Sequence, residues 1–433
     1  MRALRFGLAV AAWAGAFGTA LAQPAKLPDT VTCPEAIAAI ATCYSAKLDT
    51  GAYLLAAMPK TWNGNLIVFA HGGPGPIPPS ATYSRGSLGR YGVEVKLGYA
   101  WIASTYRYLG YGVQQSADDT DQARQYFVDH LGKPKRTIVH GASYGGLVGA
   151  MLLERYGKNY DGAFFNSGML AGAVVGYQFR ADLRAVYQYY CKNLPRPGEA
   201  QYPIWMGLAA DSKMTLDELT ARVDECTGVT KPAAMRTELQ KKNLANILAV
   251  GGFRDIVLVR HMQYGTFNFR DIANITHGKS PFSNVRSVYR GSDDDQALNR
   301  GVVRFESDPA GVAALKADAE PKAPLSVPVM AIHSINDPQV SVNAEAFYRD
   351  LAKTTASSDR LVQAYTDENE HTAQSDPEIA AALNSLMQWI ETGRRPSPQS
   401  VAGACGSLRA SVAGACRYHP EFEPRGYATA GTR

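Results

Sequence analysis

The ten residues at 137–146, TIVHGASYGG, constrain the fold more than any other part of this chain. A short β-branched run leads into Gly-x-Ser-x-Gly, and an apolar segment typical of a helix follows. A serine between glycines at a strand-to-helix junction is typical of a nucleophile elbow, in which a sharp turn exposes the serine hydroxyl. A Cβ at Gly141 or Gly145 would crowd such a turn, which explains both glycines. The pattern therefore predicts that Ser143 is a nucleophile at the end of a buried strand.

Buried strands and helices alternate on both sides of this turn. Strands are predicted at 65–70, 99–105, 136–140, 161–167, 327–333 and 361–365. Helices are predicted at 118–131, 146–156 and 377–392. Alternation of this kind predicts an α/β fold, with a mostly parallel central sheet and flanking crossover helices.

The alternation stops between about 170 and 320, where helical patterns such as 177–191 and 216–226 replace buried-strand runs. We therefore expect a largely helical cap to be inserted into the α/β domain. The predicted order of segments is a signal peptide at 1–22, core at 23–170, cap at 171–322, core at 323–395 and an irregular tail at 396–433.

The first 22 residues are typical of a secretory signal peptide. Arg2 and Arg5 precede an apolar stretch at about 6–20, and Ala20 and Ala22 are small residues at the positions that a signal peptidase reads. The apolar stretch is shorter than the ~20 residues that a membrane-spanning helix needs. We expect cleavage after Ala22, a secreted or periplasmic protein, and no stable membrane insertion afterwards.

The cysteines agree with export, because an even number of them suits an oxidising compartment. Six are present and they fall into three groups that are local in sequence. Their spacing favours the pairs Cys33–Cys43, Cys191–Cys226 and Cys405–Cys416. Zinc binding is the competing interpretation, but no Cys-x-x-Cys spacing supports it.

Composition argues against several classes of partner. The formal net charge is +5, and part of it falls in the segment expected to be removed. No basic cluster is interleaved with aromatic residues, so a nucleic-acid partner is not expected. The chemistry of an activated serine needs no cofactor and no metal, and we expect neither.

A serine nucleophile requires a general base, and that base requires an orienting acid. In sheet-based hydrolases these groups follow the serine in the order acid, then histidine. Asp337 comes just after the strand predicted at 327–333, and His371 follows the last predicted strand. We expect Ser143, Asp337 and His371 to form a triad. The other carboxylates considered for the acid, interpreted as solvated loop residues, are Asp161, Asp367 and Glu368.

The segment 71–75, HGGPG, follows the first predicted core strand and suits an oxyanion hole. Attack on a carbonyl carbon creates an oxyanion, which preorganised amide groups stabilise. We expect one amide from Tyr144, which follows the nucleophile, and one from Gly73. His71 and Gly72 are expected to order this loop rather than to react.

Together these residues resemble the α/β-hydrolase superfamily, over about 60–170 and 325–392. HGGPG at 71–75 and GASYGG at 141–146 are similar to the oxyanion loop and elbow of prolyl and tripeptidyl aminopeptidases. The segment 154–162 resembles tannases and feruloyl esterases, although Ala142 and Thr372 stand where tannases carry cysteines. The chain also departs from the pattern of those aminopeptidases in two places. Gln339 follows Asp337-Pro338, and Glu370 precedes His371.

These observations predict an exported serine hydrolase that cleaves carboxylic esters through an acyl-enzyme. A prolyl or tripeptidyl aminopeptidase-like exopeptidase is the alternative within the same superfamily. A non-catalytic binding protein on the same scaffold is the alternative from another class. The expected partner is a small-molecule ester or a short peptide, and the sequence gives no indication of an oligomeric state.

Overall fold

A computed structural model describes residues 28–426 of the chain. The predicted signal peptide at 1–22 lies outside the described residues. Within 28–426, no helix is long and apolar enough to cross a membrane.

One mixed sheet of nine strands forms the centre of the molecule. Its strands are β1 (Asp29–Val31), β2 (Ala41–Lys47), β3 (Tyr53–Pro59), β4 (Asn65–Ala70), β5 (Ala100–Ser104), β6 (Arg136–Ala142), β7 (Gly162–Asn166), β8 (Val329–Ser334) and β9 (Leu361–Thr366). Their order in the sheet is β1-β2-β3-β5-β4-β6-β7-β8-β9. Strands β4 to β9 are parallel, and β1, β2 and β3 are added antiparallel next to β5. The predicted α/β fold with a mostly parallel sheet is confirmed.

Helices cover both faces of the sheet and fill the long connection between β7 and β8. They are α1 (Glu35–Ala38), α2 (Arg85–Arg90), α3 (Gly92–Lys96), α4 (Val113–His130), α5 (Tyr144–Tyr156), α6 (Gly172–Cys191), α7 (Leu216–Thr227), α8 (Glu238–Gly251), α9 (Leu258–Gln263), α10 (Phe269–Ile275), α11 (Asp295–Gly301), α12 (Pro309–Ala319), α13 (Asn343–Thr354), α14 (Asp376–Thr392) and α15 (Pro398–Leu408). A π-helical turn, Tyr264–Asn268, joins α9 to α10.

Side chains along each buried strand point alternately to the two faces of the sheet, so the hydrophobic core has two parts, one on each face. On β4, Leu66 and Val68 pack with α4, α5 and α13, whereas Ile67 and Phe69 pack with α3, α14 and α15. Successive strand side chains point to opposite faces, so a strand covered by helices on both sides is apolar throughout. This is why the segments 66–70 of β4 and 329–332 of β8 are continuous apolar runs.

We call the helices α6 to α12 the insertion. Residues of α6, α7, α8, α9 and α11 form a small hydrophobic core within it. The disulfide Cys191–Cys226 ties α6 to the end of α7 within it. The other two disulfides are Cys33–Cys43 near the N-terminal strands and Cys405–Cys416 in the tail. All three pairs are the local ones that the spacing favours. The exact limits 171–322 of a separate cap remain a prediction.

The structure differs from the predictions in two places, each for a physical reason. The helix predicted at 118–131 begins at Val113. The carboxylate of Asp318 on α12 accepts the amide hydrogens of Val113 and Gln114, and so caps the helix from a distant part of the chain. The tail predicted as irregular contains the helix α15. A capping box formed by Ser397 and Ser400 stabilises the start of this helix.

Candidate active site

Ser143 lies at the sharp turn between β6 and α5, with φ 58° and ψ −121°. This positive φ is strained for a residue that carries a Cβ, and backbone hydrogen bonds hold it there. The Ser143 amide donates to Asn166 O at 2.9 Å, and its carbonyl accepts from Gly146 at 2.9 Å and Met169 at 3.0 Å. The turn is therefore fixed from the neighbouring strand β7 and from the segment that follows it.

The motif glycines allow backbone segments to approach more closely than any side chain permits. A Cβ on Gly141 would lie 2.3 Å from Gly145 O, and one on Gly145 would lie 1.9 Å from Ala70 O. A Cβ on Gly146 would lie 2.5 Å from the Cα of Gly168. The elbow therefore packs directly against the end of β4 and the loop after β7.

The predicted oxyanion loop lies beside the serine. A Cβ on Gly72 would lie 3.2 Å from Ser143 Cβ, and Gly73 has a φ of +72° that favours glycine. Gly73 and Tyr144 line a small cavity together with Ser143. The Tyr144 amide is the first of α5, where no helical acceptor exists for it. This arrangement can offer amide hydrogens to an oxyanion next to Ser143 Oγ.

His71 is buried beneath this loop. Its Nδ1 donates to Gly72 O at 2.9 Å, and its ring stacks on Tyr106 with centroids 3.9 Å apart. Tyr106 Oη in turn donates to His71 O at 3.1 Å. Burial lowers the pKa of His71 to about 4, so the ring is neutral near pH 7. These contacts suit the ordering role expected of His71.

Asp337 and His371 form a hydrogen-bonded pair at the same end of the sheet. Asp337 Oδ2 lies 2.7 Å from His371 Nδ1, and the Asp337 side chain is fully buried. Asp337 Oδ1 accepts the amide hydrogens of Gln339 at 2.8 Å and Val340 at 3.0 Å. Burial alone would raise the pKa of Asp337, but the charge on His371 and the hydrogen bond with His333 hold it far below its usual range. The acid is therefore ionised.

Ser143 and Asp337 line adjoining cavities. Asp337 lines a second cavity, which shares Met169, Arg180, Gln339 and Val340 with the one that Ser143 lines. Among the described residues, no hydrogen bond joins Ser143 Oγ to the ring of His371. Such bonds are often long in unliganded hydrolases and shorten when substrate binds.

Three basic side chains that the sequence did not single out hold the loop after Asp337. His261 on α9 contacts Pro338 O at 3.0 Å, Arg180 on α6 donates to Gln339 O at 3.1 Å, and His333 on β8 contacts Val340 O at 3.0 Å. Two of them come from the insertion, far away in sequence. No local sequence pattern identifies Arg180 or His261 as part of the site. His333 could have been noticed, because it is a histidine in a predicted buried strand four residues before the acid.

Residues of the insertion form much of the cavity lining. They are apolar, aromatic or basic, and the largest are Tyr177, Phe179, Arg180, Phe253, His261 and Tyr264. Within 28–426, no group of three or more histidine, cysteine, aspartate or glutamate side chains could hold a metal ion.

Comparisons with known proteins gave matches among solved structures alone. No family model and no curated protein matches the chain. Candida antarctica lipase A in its closed state aligns with 13% identity and a TM-score of 0.45, over 89% of this chain and 90% of that one. The tannin acyl hydrolase of Aspergillus niger aligns with 12% identity and a TM-score of 0.45, over 94% and 88% of the two chains. Feruloyl esterase B of Aspergillus oryzae aligns with 13% identity and a TM-score of 0.37, over 82% and 81%. The assignment of the fold therefore rests on the topology of the sheet.

Proposed function

We propose that this protein is a serine hydrolase that cleaves carboxylic esters through an acyl-enzyme. The observation that carries the proposal is that a strained serine at an elbow lines one cavity, and a buried aspartate bonded to a histidine lines the adjoining one. An aspartate in this position fixes the tautomer of the histidine and stabilises the imidazolium that forms during the reaction.

In the first half of the reaction, Ser143 Oγ attacks the ester carbonyl carbon while His371 Nε2 takes the hydroxyl proton. The amides of Tyr144 and Gly73 hold the oxyanion of the tetrahedral intermediate. When the intermediate collapses, the C–O bond to the alcohol breaks, and His371 gives its proton to the leaving oxygen. An acyl group remains on Ser143.

In the second half, His371 takes a proton from a water molecule, and the hydroxide attacks the acyl carbon. The bond to Ser143 Oγ breaks, His371 returns its proton to the serine, and the carboxylic acid leaves. Each step uses the same two oxyanion donors, because both tetrahedral intermediates place negative charge at the same position.

The cavity lining favours an ester over a peptide with a free amino terminus. An aminopeptidase must pair the α-ammonium group of its substrate with a carboxylate. The insertion instead presents aromatic rings together with Arg180 and His261 to the cavities. A neutral acyl group fits this lining better than a cation does.

The test compares turnover of a p-nitrophenyl acyl ester with that of an aminoacyl p-nitroanilide, using the wild-type protein and Ser143→Ala. We expect ester turnover that depends on Ser143 and little anilide cleavage. Efficient anilide cleavage with negligible ester turnover would instead indicate a peptidase. Absence of both activities in folded protein would favour a binding protein.

We also propose that the protein is exported and cleaved after Ala22. Three disulfides support this, because such bonds persist in oxidising compartments. N-terminal sequencing of the protein recovered outside the cytoplasm should begin at Gln23, and an intact N-terminus on a cytoplasmic protein would contradict export.

A further inference from the structure

A second buried histidine lies directly behind the proposed acid. His333 occupies the penultimate position of β8, and its side chain is fully buried. Its Nδ1 lies 3.0 Å from Oε1 of Glu345 on α13. Its Nε2 lies 3.0 Å from Val340 O and 3.5 Å from Asp337 Oδ2. The ring therefore touches the acid loop and two carboxylates at once.

The partners of His333 determine where its protons are. The carbonyl of Val340 can only accept, so Nε2 carries a hydrogen. Oε2 of Glu345 accepts from Gln363 Nε2 at 2.7 Å and therefore carries no hydrogen itself. One further proton lies between Nδ1 and Glu345 Oε1. The negative charge of Asp337 favours placing that proton on the ring.

We propose that His333 is a buried imidazolium and a positioning residue of the triad, which holds the acid loop through Val340 O and keeps Asp337 ionised and directed at His371. The mechanistic half of this proposal rests on the proposed hydrolase function. His333 itself does not touch the reacting atoms.

The electrostatic surroundings agree with this assignment. Burial alone would lower the pKa of His333, but its hydrogen bonds to Asp337 and Glu345 raise it to about 10. His261, which faces the same loop from α9, has a pKa lowered to about 3 by burial and is neutral. The other titratable or charged groups facing the cluster are His371 beside Asp337, Arg180 on α6, and the phenols of Tyr348 and Tyr365 near Glu345, whose pKa values burial raises.

The charge on His333 has a consequence for catalysis. An imidazolium beside Asp337 offsets part of the negative charge that His371 experiences. Without it, the proton on His371 would be held more tightly, and a larger share of the base would be inactive at a given pH. Removing the charge should therefore move the acidic limb of kcat/KM to higher pH.

His333→Gln tests this consequence, because the glutamine amide can keep a donor near the position of Nε2 but carries no charge. We expect the acidic limb of kcat/KM for a p-nitrophenyl ester to move up by about one pH unit. The matched control is His419→Gln, which changes an exposed histidine of the tail and should leave the limb in place. A folded His333→Gln enzyme with an unmoved limb would overturn the proposed role, even if its kcat were lower.

A second measurement detects the charge on His333 directly and does not depend on enzymatic activity. Imidazole ¹⁵N spectra of the wild-type protein at pH 8 should show both ring nitrogens of His333 protonated, with the signal assigned through its proximity to Val340. A neutral His333 ring at pH 8 would refute the imidazolium, whether or not the variant folds. A protonated His333 in a protein without ester turnover would support the imidazolium and contradict the proposed function, so the two failures are distinguishable.

Discussion

The proposed site consists of two halves that are built in different ways. The elbow half, residues 71–75 and 141–146, depends on backbone atoms that pack too closely at Gly141, Gly145 and Gly146 to admit a side chain. The acid half, residues 337–340 with His371, is held by buried charged and polar side chains from α6, α9, α13 and β8. Steric exclusion needs particular residues in a short segment, whereas a charge network can be assembled from distant ones. The elbow half should therefore fail by unfolding, and the acid half by losing activity in a folded protein.

The largest effect should come from Asp337→Asn in the acid half. The amide keeps the shape of the carboxylate but favours the wrong tautomer of His371, so kcat should fall by about 10⁴-fold. Circular dichroism should still show a folded protein. Asp350→Asn, which alters an exposed carboxylate paired with Lys353, is the matched control and should retain full activity. A loss of less than tenfold in Asp337→Asn would remove Asp337 from the triad.

The elbow half should respond most strongly to Gly145→Ala. The new Cβ would lie 1.9 Å from Ala70 O, a backbone atom that cannot move aside. We expect the free energy of unfolding, measured with urea, to drop by at least about 4 kcal/mol. Gly403→Ala on α15 is the control, because nothing lies within 4 Å of its Cβ, and it should stabilise the protein by up to about 1 kcal/mol. Equal effects of the two substitutions would show that packing does not constrain the elbow.

The smallest predicted effect concerns pH and the buried, neutral His71. The unfolded chain takes up a proton near pH 6.5, but folded His71 does so only near pH 4. Below pH 6.5 the unfolded chain therefore binds a proton that the folded protein does not. Because of His71, the free energy of unfolding should fall by about 3 kcal/mol between pH 7 and pH 4. In His71→Gln the free energy of unfolding should depend less on pH across this range. An unchanged pH dependence would mean that His71 takes up its proton in the folded state as readily as in the unfolded chain.

The same contrast explains how much of this molecule could be predicted from its sequence. The elbow, the glycine loop and the order Ser143, Asp337, His371 depend on short motifs and strand ends, which a sequence displays directly. The parallel core also followed from apolar runs at β4, β6 and β8. These patterns are local in the sequence, and the packing of the folded protein stabilises the structures that they predict.

Contacts between distant segments could not be predicted in this way. Asp318 on α12 caps the start of α4, and no sequence pattern near residue 113 predicts this contact. The strands β1, β2 and β3 were not predicted. β1 has only three residues and β2 alternates between buried and more exposed side chains, whereas the apolar run at 54–58 was a local signal for β3. His333, Glu345 and His261 meet around the acid loop only after the insertion and α13 have folded against it.

Covalent labelling with a fluorophosphonate tests the central claim most directly, because the reagent requires an activated serine. Peptide mapping of the labelled wild-type protein should place the adduct on Ser143. Labelling should be absent in Ser143→Ala and strongly slowed in Asp337→Asn. A folded wild-type protein that remains unlabelled, or that carries the adduct on another residue while it still turns over esters, would contradict the assignment of Ser143 as the nucleophile.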